Sequence, residues 1–423
     1  MGTDSKTARR VAPVSQFSQL TQLADQTDSA VHARFGEFRL SSAFQPVFSL
    51  SHRRVVGHEA LMRARCGEQS VSPLGVFDSA VSDEETTLLD RLCRLMHVRN
   101  YTAVMDGWLF LNVNPVVTLT DVGADTFFHE LLESVQLPPH RIVVELLEDA
   151  VPHDSALRKS LDAYRAQGCL IAIDDFGAGS SNFDRIWRLR PDIVKLDRSI
   201  VVEAAENRRA RRMLPGLVAL LHEAGCLVLV EGIETREQAL IAMEADADLV
   251  QGYLFGRPSE QPVVGCPSGE VAGLCREFRQ WTADASQREV EQQKYTAVVE
   301  AAAKRLAAGQ DLAAACAELL SMPRVRRCFM LDADGNQLSD NLESFTSLRR
   351  ADLRYQPLRS AVGANWFRRP YFRRALARPG MVQVTRPYFS VTDIDLCFTV
   401  SLQMRLNDKN VVLCCDISHD TEP

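Results

Sequence analysis

The chain of 423 residues carries 48 Lys and Arg against 55 Asp and Glu, a formal charge of -7, and 46% of it is apolar. Such a composition describes a globular chain of two or three domains with ample core, and the acidic balance argues against a general nucleic-acid binder, which needs a basic face. Eleven scattered cysteines without a C-x-x-C pair indicate neither a zinc site nor a disulfide framework, and no apolar run approaches the ~18 residues of a membrane helix.

With reduced thiols and a polar start from Met1 to Arg10 that lacks an apolar h-region, a cytoplasmic protein with no membrane contact is expected. Residues 1–35, rich in Ser, Thr, Gln and Asp, read as a flexible leader with a short helix around Phe17 to Ala24. From Leu40 short apolar runs alternate with amphipathic segments. Phe44 to Leu50 and Val55 to Leu61 read as two strands joined by the turn Ser51-His52-Arg53-Arg54. Further strands are expected at Trp108 to Val113, Ile142 to Leu146, Leu170 to Ile173, Ile193 to Leu196, Leu227 to Val230 and Leu249 to Val250. Helical segments fall between them at Glu84 to Val98, Ser155 to Gln167, Arg208 to Ala224 and Thr235 to Ala245. Strands alternating with helices predict parallel strands with crossovers, best met by an α/β fold closed as a (β/α)8 TIM-like barrel.

Polar residues recur where these strands end. They are Glu59, Asn112, Glu145, Asp174 with Asp175, Lys195, Glu231 and Gln251, and a barrel would turn them all into one bowl at its carboxyl-end face. The pair Asp174-Asp175 stands between the apolar run Ile171-Ala172-Ile173 and the loop Phe176-Gly177-Ala178-Gly179. One reading is an Asp- and Gly-rich turn after a strand. The other is a metal site, because neighbouring carboxylates stay ionised together most readily when they share cations.

Gly57-His58-Glu59-Ala60-Leu61-Met62-Arg63 carries an E-A-L signature. In order along the chain stand Gln45-Pro46, Asn112-Val113-Asn114-Pro115, Glu145-Leu146-Leu147-Glu148, Asp174-Asp175-Phe176-Gly177, Val194-Lys195-Leu196-Asp197, Glu231-Gly232-Ile233-Glu234 and Gln251-Gly252-Tyr253. Through these stretches the chain from about Leu40 to Pro258 resembles the EAL-domain phosphodiesterases that hydrolyse cyclic di-GMP. The resemblance implies two metal ions, Mg2+ or Mn2+. Glu59, Asn112, Glu145 and Asp174 would hold one, and Asp174, Asp175 and Glu231 the other. Lys195, Glu231, Glu59 and Gln251 would serve catalysis, with Lys195 beside the attacking water or the phosphate. Arg63 would reach a phosphate and Gln45 a guanine edge, with Leu61 of the signature beside the substrate. Glu148 would tether the loop that follows Asp175. The loop Ala178-Gly179-Ser180-Ser181-Asn182-Phe183, where the family more often has a bulky residue before Ser-Ser and Leu after it, and Asn114, where Ser is common, depart mildly from the family pattern. A barrel that binds cyclic di-GMP without cutting it, or an inert scaffold, is the alternative; such receptors usually lack one of the site residues, and here all are present.

Residues 36–262 are thus expected to form the barrel, 263–322 a helical linker and 323–423 a separate α+β domain. Within the linker, Val290, Tyr295, Val298, Val299, Ala302 and Leu306 would seam a dimer or pack on the barrel. The last hundred residues show short alternating runs and an aromatic–arginine segment from Trp366 to Leu376, and they resemble PAS-like and Cache-type sensor domains. That likeness implies a small-ligand pocket at Trp366, Arg369, Tyr371, Tyr388 and Asp416. A homodimer is expected from the family's habit of pairing barrels.

Overall fold

A computed structural model of the chain describes residues 16–26, 30–102, 107–114, 117, 124–147, 155–179, 183–263, 270–344, 361–390 and 396–419. They form two units, Met1–Trp281 and Thr282–Pro423.

The first unit is built on eight strands: β1 (Phe38–Ser49), β2 (Arg54–Cys66), β3 (Trp108–Asn112), β4 (Ile142–Leu147), β5 (Leu170–Phe176), β6 (Ile193–Leu196), β7 (Leu227–Val230) and β8 (Leu249–Val250). Parallel pairing runs from β2 through β8 in chain order. β1 then lies antiparallel between β8 and β2 and closes the ring. Its reversed sense follows from the four-residue turn between β1 and β2, which is too short for a crossover helix.

The pleat of the strands decides what fills the ring. Val47, Phe110, Val143, Ala172, Ile193, Leu229 and Leu249 form one buried cluster, a residue from every strand except β2. β2 contributes Gly57, which is paired with Val47. A Cβ there would lie 2.6 Å from the Trp108 carbonyl and 3.2 Å from the Phe110 ring, so the glycine leaves the space the Phe110 side chain occupies. Alternate residues such as Leu109, Leu111, Val144, Leu146, Ile171 and Ile173 face outward into the larger core beneath the helices.

The start of the described chain is more ordered than its composition suggests. Val31–Phe35 pairs with β1 and with Ala24–Gln26, and Leu20 on helix Gln16–Gln22 is buried. The alternation of Val31 and Ala33, both buried, supplies the strand signal inside that polar leader.

In the second unit a sheet runs Leu342–Glu343, Val325–Leu331, Lys409–Ser418, Leu396–Leu406, Gln383–Val384, all antiparallel, with Tyr388–Phe389 also on Leu396–Leu406. Within the stretch expected to be a helical linker, helix Glu270–Ala307 runs across the division between the units. The face of Tyr295, Val299, Ala302 and Leu306, expected to seam a dimer or pack on the barrel, belongs to the second unit's own core. It is buried against Val400, Leu413 and Cys415 of the second unit's sheet, whose apolar side needs a cover. Among the described residues no helix is long and apolar enough to cross a membrane.

Gly57→Ala should cost about 1–3 kcal/mol by overfilling the plug, read as a lower urea midpoint. An unchanged midpoint would show that the ring has slack at this level.

Candidate active site

The plug residues define the site by a single step. Two residues beyond each of them, toward the same mouth, stand Glu59, Asn112, Glu145, Asp174, Lys195, Glu231 and Gln251. On the reversed β1 the step runs backward to Gln45, which pairs directly with Glu59. A period of two thus carries one side chain from every strand into a polar layer above the apolar one.

Asp174 and Asp175 are neighbours, so a regular strand would send them to opposite faces. The register between β5 and β6 shifts between Ile173 and Phe176, and Asp175 adopts a left-handed φ of 57°. Gly177, at φ 102°, continues the turn. Asp tolerates this backbone at modest cost, and oxygens of both acids come within 4.8 Å of one another and of Glu231.

Lys195 is 1% exposed, and its Nζ lies 2.8 Å from Glu145 Oε1, 2.8 Å from Glu231 Oε1, 2.9 Å from Asp174 Oδ1 and 3.5 Å from Glu59 Oε2. Asn112 Nδ2 and Gln251 Nε2 donate to the two oxygens of Glu59 at 3.1 and 2.7 Å. Burial alone would lower the Lys195 pKa, but the fields of Asp174, Glu145, Glu231 and Glu59 outweigh it and raise it. Burial pushes Glu145 well above the carboxylate range against the pull of Lys195. Burial likewise pushes Glu231 to about 8, and burial followed by the neighbouring Asp174 pushes Asp175 to about 6. One ammonium is too little positive charge for these acids.

The residues fit a pair of divalent cations. Glu59, Glu145 and Asp174 offer oxygens within 4.8 Å of one another, as do Asp174, Asp175 and Glu231, so Asp174 belongs to both groups. Glu145 is fully buried, and its Oε2 has no hydrogen-bond partner among the described residues. A dry carboxylate oxygen without a donor is costly unless a cation takes it. Oxygen donors of this kind suit hard divalent ions.

Leu61 and Arg63 continue the face of Glu59 along β2, half-buried and exposed respectively, and Arg63 pairs across the strands with Ser41. Among the described residues the Arg63 guanidinium bonds the adjacent Met62 carbonyl at 3.1 Å. Gln45 donates to the Gly256 carbonyl at 3.4 Å. Glu148 lies outside the described residues, as do Ser180, Ser181 and Asn182 of the loop it was expected to tether. The C-terminal candidates Trp366, Arg369, Tyr371, Tyr388 and Asp416 belong to the second unit, where they line one cleft.

Sequence reasoning missed Asp90 and Arg94 on helix Asp83–Thr102. Their side chains are 3% and 1% exposed and lie 2.6 Å apart. Asp90 Oδ1 accepts from the Asn114 backbone N–H at 2.9 Å, two residues beyond Asn112, and Arg94 donates to the Tyr164 hydroxyl at 3.0 Å. The pair fastens the end of β3 and so the position of Asn112. Its signal was an acid and a base at i, i+4 among Leu89, Leu92, Cys93, Leu95 and Met96, all buried.

Fold and site together define a barrel protein with an acidic mouth whose carboxylates could hold cations. The EAL domain family model matches residues 29–258, just over half the chain, and the chain belongs to that family. It is 35% identical over 231 residues to the cyclic di-GMP phosphodiesterase RocR of Pseudomonas aeruginosa, covering 53% of this chain and 58% of RocR. It is 28% identical over 369 residues to the EAL-domain containing protein YkuI of Bacillus subtilis, covering 84% of this chain and 87% of YkuI. The crystal structure of YkuI with cyclic di-GMP and calcium shares the fold, with a TM-score of 0.75 at 24% identity over 90% of this chain and 96% of that one. RocR is thus matched over little more than half its length, YkuI over most of it.

Because Asp174 serves both acid groups, Asp174→Asn should weaken Mn2+ at both sites, whereas Glu145→Gln should weaken one. A loss of at least ~10-fold is expected, the least that even an outer-shell change costs, and calorimetric stoichiometry separates the two patterns. Identical isotherms for the two variants would contradict the shared ligand. Arg94→Met should cost about 3–5 kcal/mol in urea unfolding by leaving Asp90 buried and unpaired.

Proposed function

We propose that the protein hydrolyses cyclic di-GMP to linear 5′-pGpG with Mg2+ or Mn2+ at the mouth of its barrel. The observation that carries this reading is the gathering of Glu59, Glu145, Asp174 and Glu231 around Lys195. Family membership and the likeness to RocR support the substrate. Glu59, Asn112, Glu145 and Asp174 would hold one cation, and Asp174, Asp175 and Glu231 the second. Bound there, the cations supply a lowered water pKa and neutralise charge on the phosphate.

The chain's own groups orient the rest. In the reaction the water oxygen bonds to phosphorus, the bond from phosphorus to the 3′ oxygen breaks, and that oxygen takes up a proton. Gln251 Oε1 is buried and has no hydrogen-bond partner among the described residues, so it is free to accept from the attacking water. Lys195 offers protons to the water or a phosphate oxygen and offsets the charge that develops there. Arg63, exposed at the edge of the bowl, suits the phosphate that is not cut, and Gln45 a guanine edge. Regulation by the C-terminal unit and pairing of two copies complete the proposal. Helix Glu270–Ala307, which contributes to both units, supports the first of these.

Incubation with cyclic di-GMP and Mg2+ or Mn2+, followed by chromatography, should yield 5′-pGpG, and EDTA should abolish it. Glu59→Ala and Lys195→Ala should each lower the rate by at least ~100-fold with circular dichroism unchanged. Turnover that persists in both variants or in EDTA would place the chemistry elsewhere.

A further inference from the structure

The outer surface of the second unit carries positive charge that the proposed reaction does not use. From Ala361 to Ser390 the chain has six arginines and no Asp, Glu or Lys, within a protein whose formal charge is -7. Arg369 is half-buried, and the other five, Arg368, Arg373, Arg374, Arg378 and Arg386, are exposed. None of these five has an ion-pair partner among the described residues.

The packing of helix Pro370–Ala377 explains their exposure. Tyr371, Phe372 and Ala375 are buried with Phe329, Leu331, Val412 and Cys414, so the helix lies over one side of the sheet. A period of 3.6 residues then leaves Arg373 and Arg374 on the side away from the sheet, and Arg378 follows at the helix end. Arg374 Nη1 donates to the Val384 carbonyl at 3.2 Å, which joins the helix to the strand Gln383–Val384. That strand and Tyr388–Phe389 both pair with Leu396–Leu406, and Arg386 lies between them.

Apolar side chains stand among the arginines. Phe367, Met381 and Phe389 are 54%, 59% and 58% exposed. Each has an exposed arginine within three residues along the chain: Arg368, Arg378 and Arg386. Leu338 and Val362, also exposed, complete the large apolar residues that the second unit leaves in solvent among the described residues.

We propose that this surface rests on an anionic lipid bilayer, with its arginines at the level of the phosphates and the tips of Phe367, Met381 and Phe389 in the acyl boundary. A bilayer interface rewards apolar tips that dip beside cations that stay among the headgroups, and that is the interleaving seen here. A protein interface instead gathers apolar residues at its centre and sends charge to the rim. Single-stranded nucleic acid stacks on flat rings, which Leu338, Val362 and Met381 do not offer. No apolar span is needed, because such a contact uses surface side chains alone.

The test floats the full chain with vesicles of phosphatidylcholine alone and of phosphatidylcholine mixed with phosphatidylserine. The mixed vesicles should bind at least ~10-fold tighter, since each arginine near an anionic surface contributes about fivefold, and raised salt should release the protein. The double variant Arg373→Gln, Arg378→Gln should lose at least ~10-fold in affinity with circular dichroism unchanged. Met381→Ser, a change outside the core, should weaken binding several-fold. None of these readouts depends on turnover at the barrel. Equal binding to both kinds of vesicle, affinity unchanged in the double arginine variant, or oligothymidylate or polyglutamate bound as tightly as the mixed vesicles would each overturn the assignment.

Discussion

Four carboxylates lie within 3.5 Å of the buried Lys195 ammonium. Like charges brought so close in a medium of low dielectric repel strongly, so the layer holds together only while positive charge sits inside it. Lys195 supplies one unit, and the raised pKa values of Glu145, Glu231 and Asp175 mark how far that falls short. The rest of the barrel can be understood as the device that forces these groups to one place.

That device is the pleat. Seven large or small apolar side chains and one glycine fill the ring, and two residues further along each strand a polar group reaches the mouth. Because the plug excludes water from below, the polar layer is dry on one side and open on the other, an arrangement that suits a charged substrate arriving from solvent. The buried Asp90–Arg94 pair serves the same layer from outside, where it fastens the backbone after Asn112. The second unit solves its own charge problem differently, since Arg327 neutralises Asp416 within the sheet.

The strands, their order of appearance and the polar residue at each strand end were legible because alternation and apolar runs are local properties of the chain. Seven strand-end groups recurring at matching places in their βα units pointed to one bowl before any distance was known. Asp90 and Arg94 were not legible, since an acid and a base four apart on a helix look alike whether solvated or buried. The leader misled for a related reason: the short Val31–Phe35 strand is stabilised by β1, which lies later in the sequence. Helix Glu270–Ala307 showed an apolar face in its sequence, but a face does not name the surface it meets.

Sequence alone determined the pattern of two that lifts a polar side chain above an apolar one, and with it the identity of the groups in the mouth. Tertiary structure decided that the ring closes through a reversed first strand, which sets Gln45 directly against Glu59. It decided too that a left-handed Asp175 turns two adjacent acids toward one another, and that one lysine stands among them all. Local backbone preference is written residue by residue, whereas the approach of charges distant along the chain depends on closure, and closure is a property of the whole sheet.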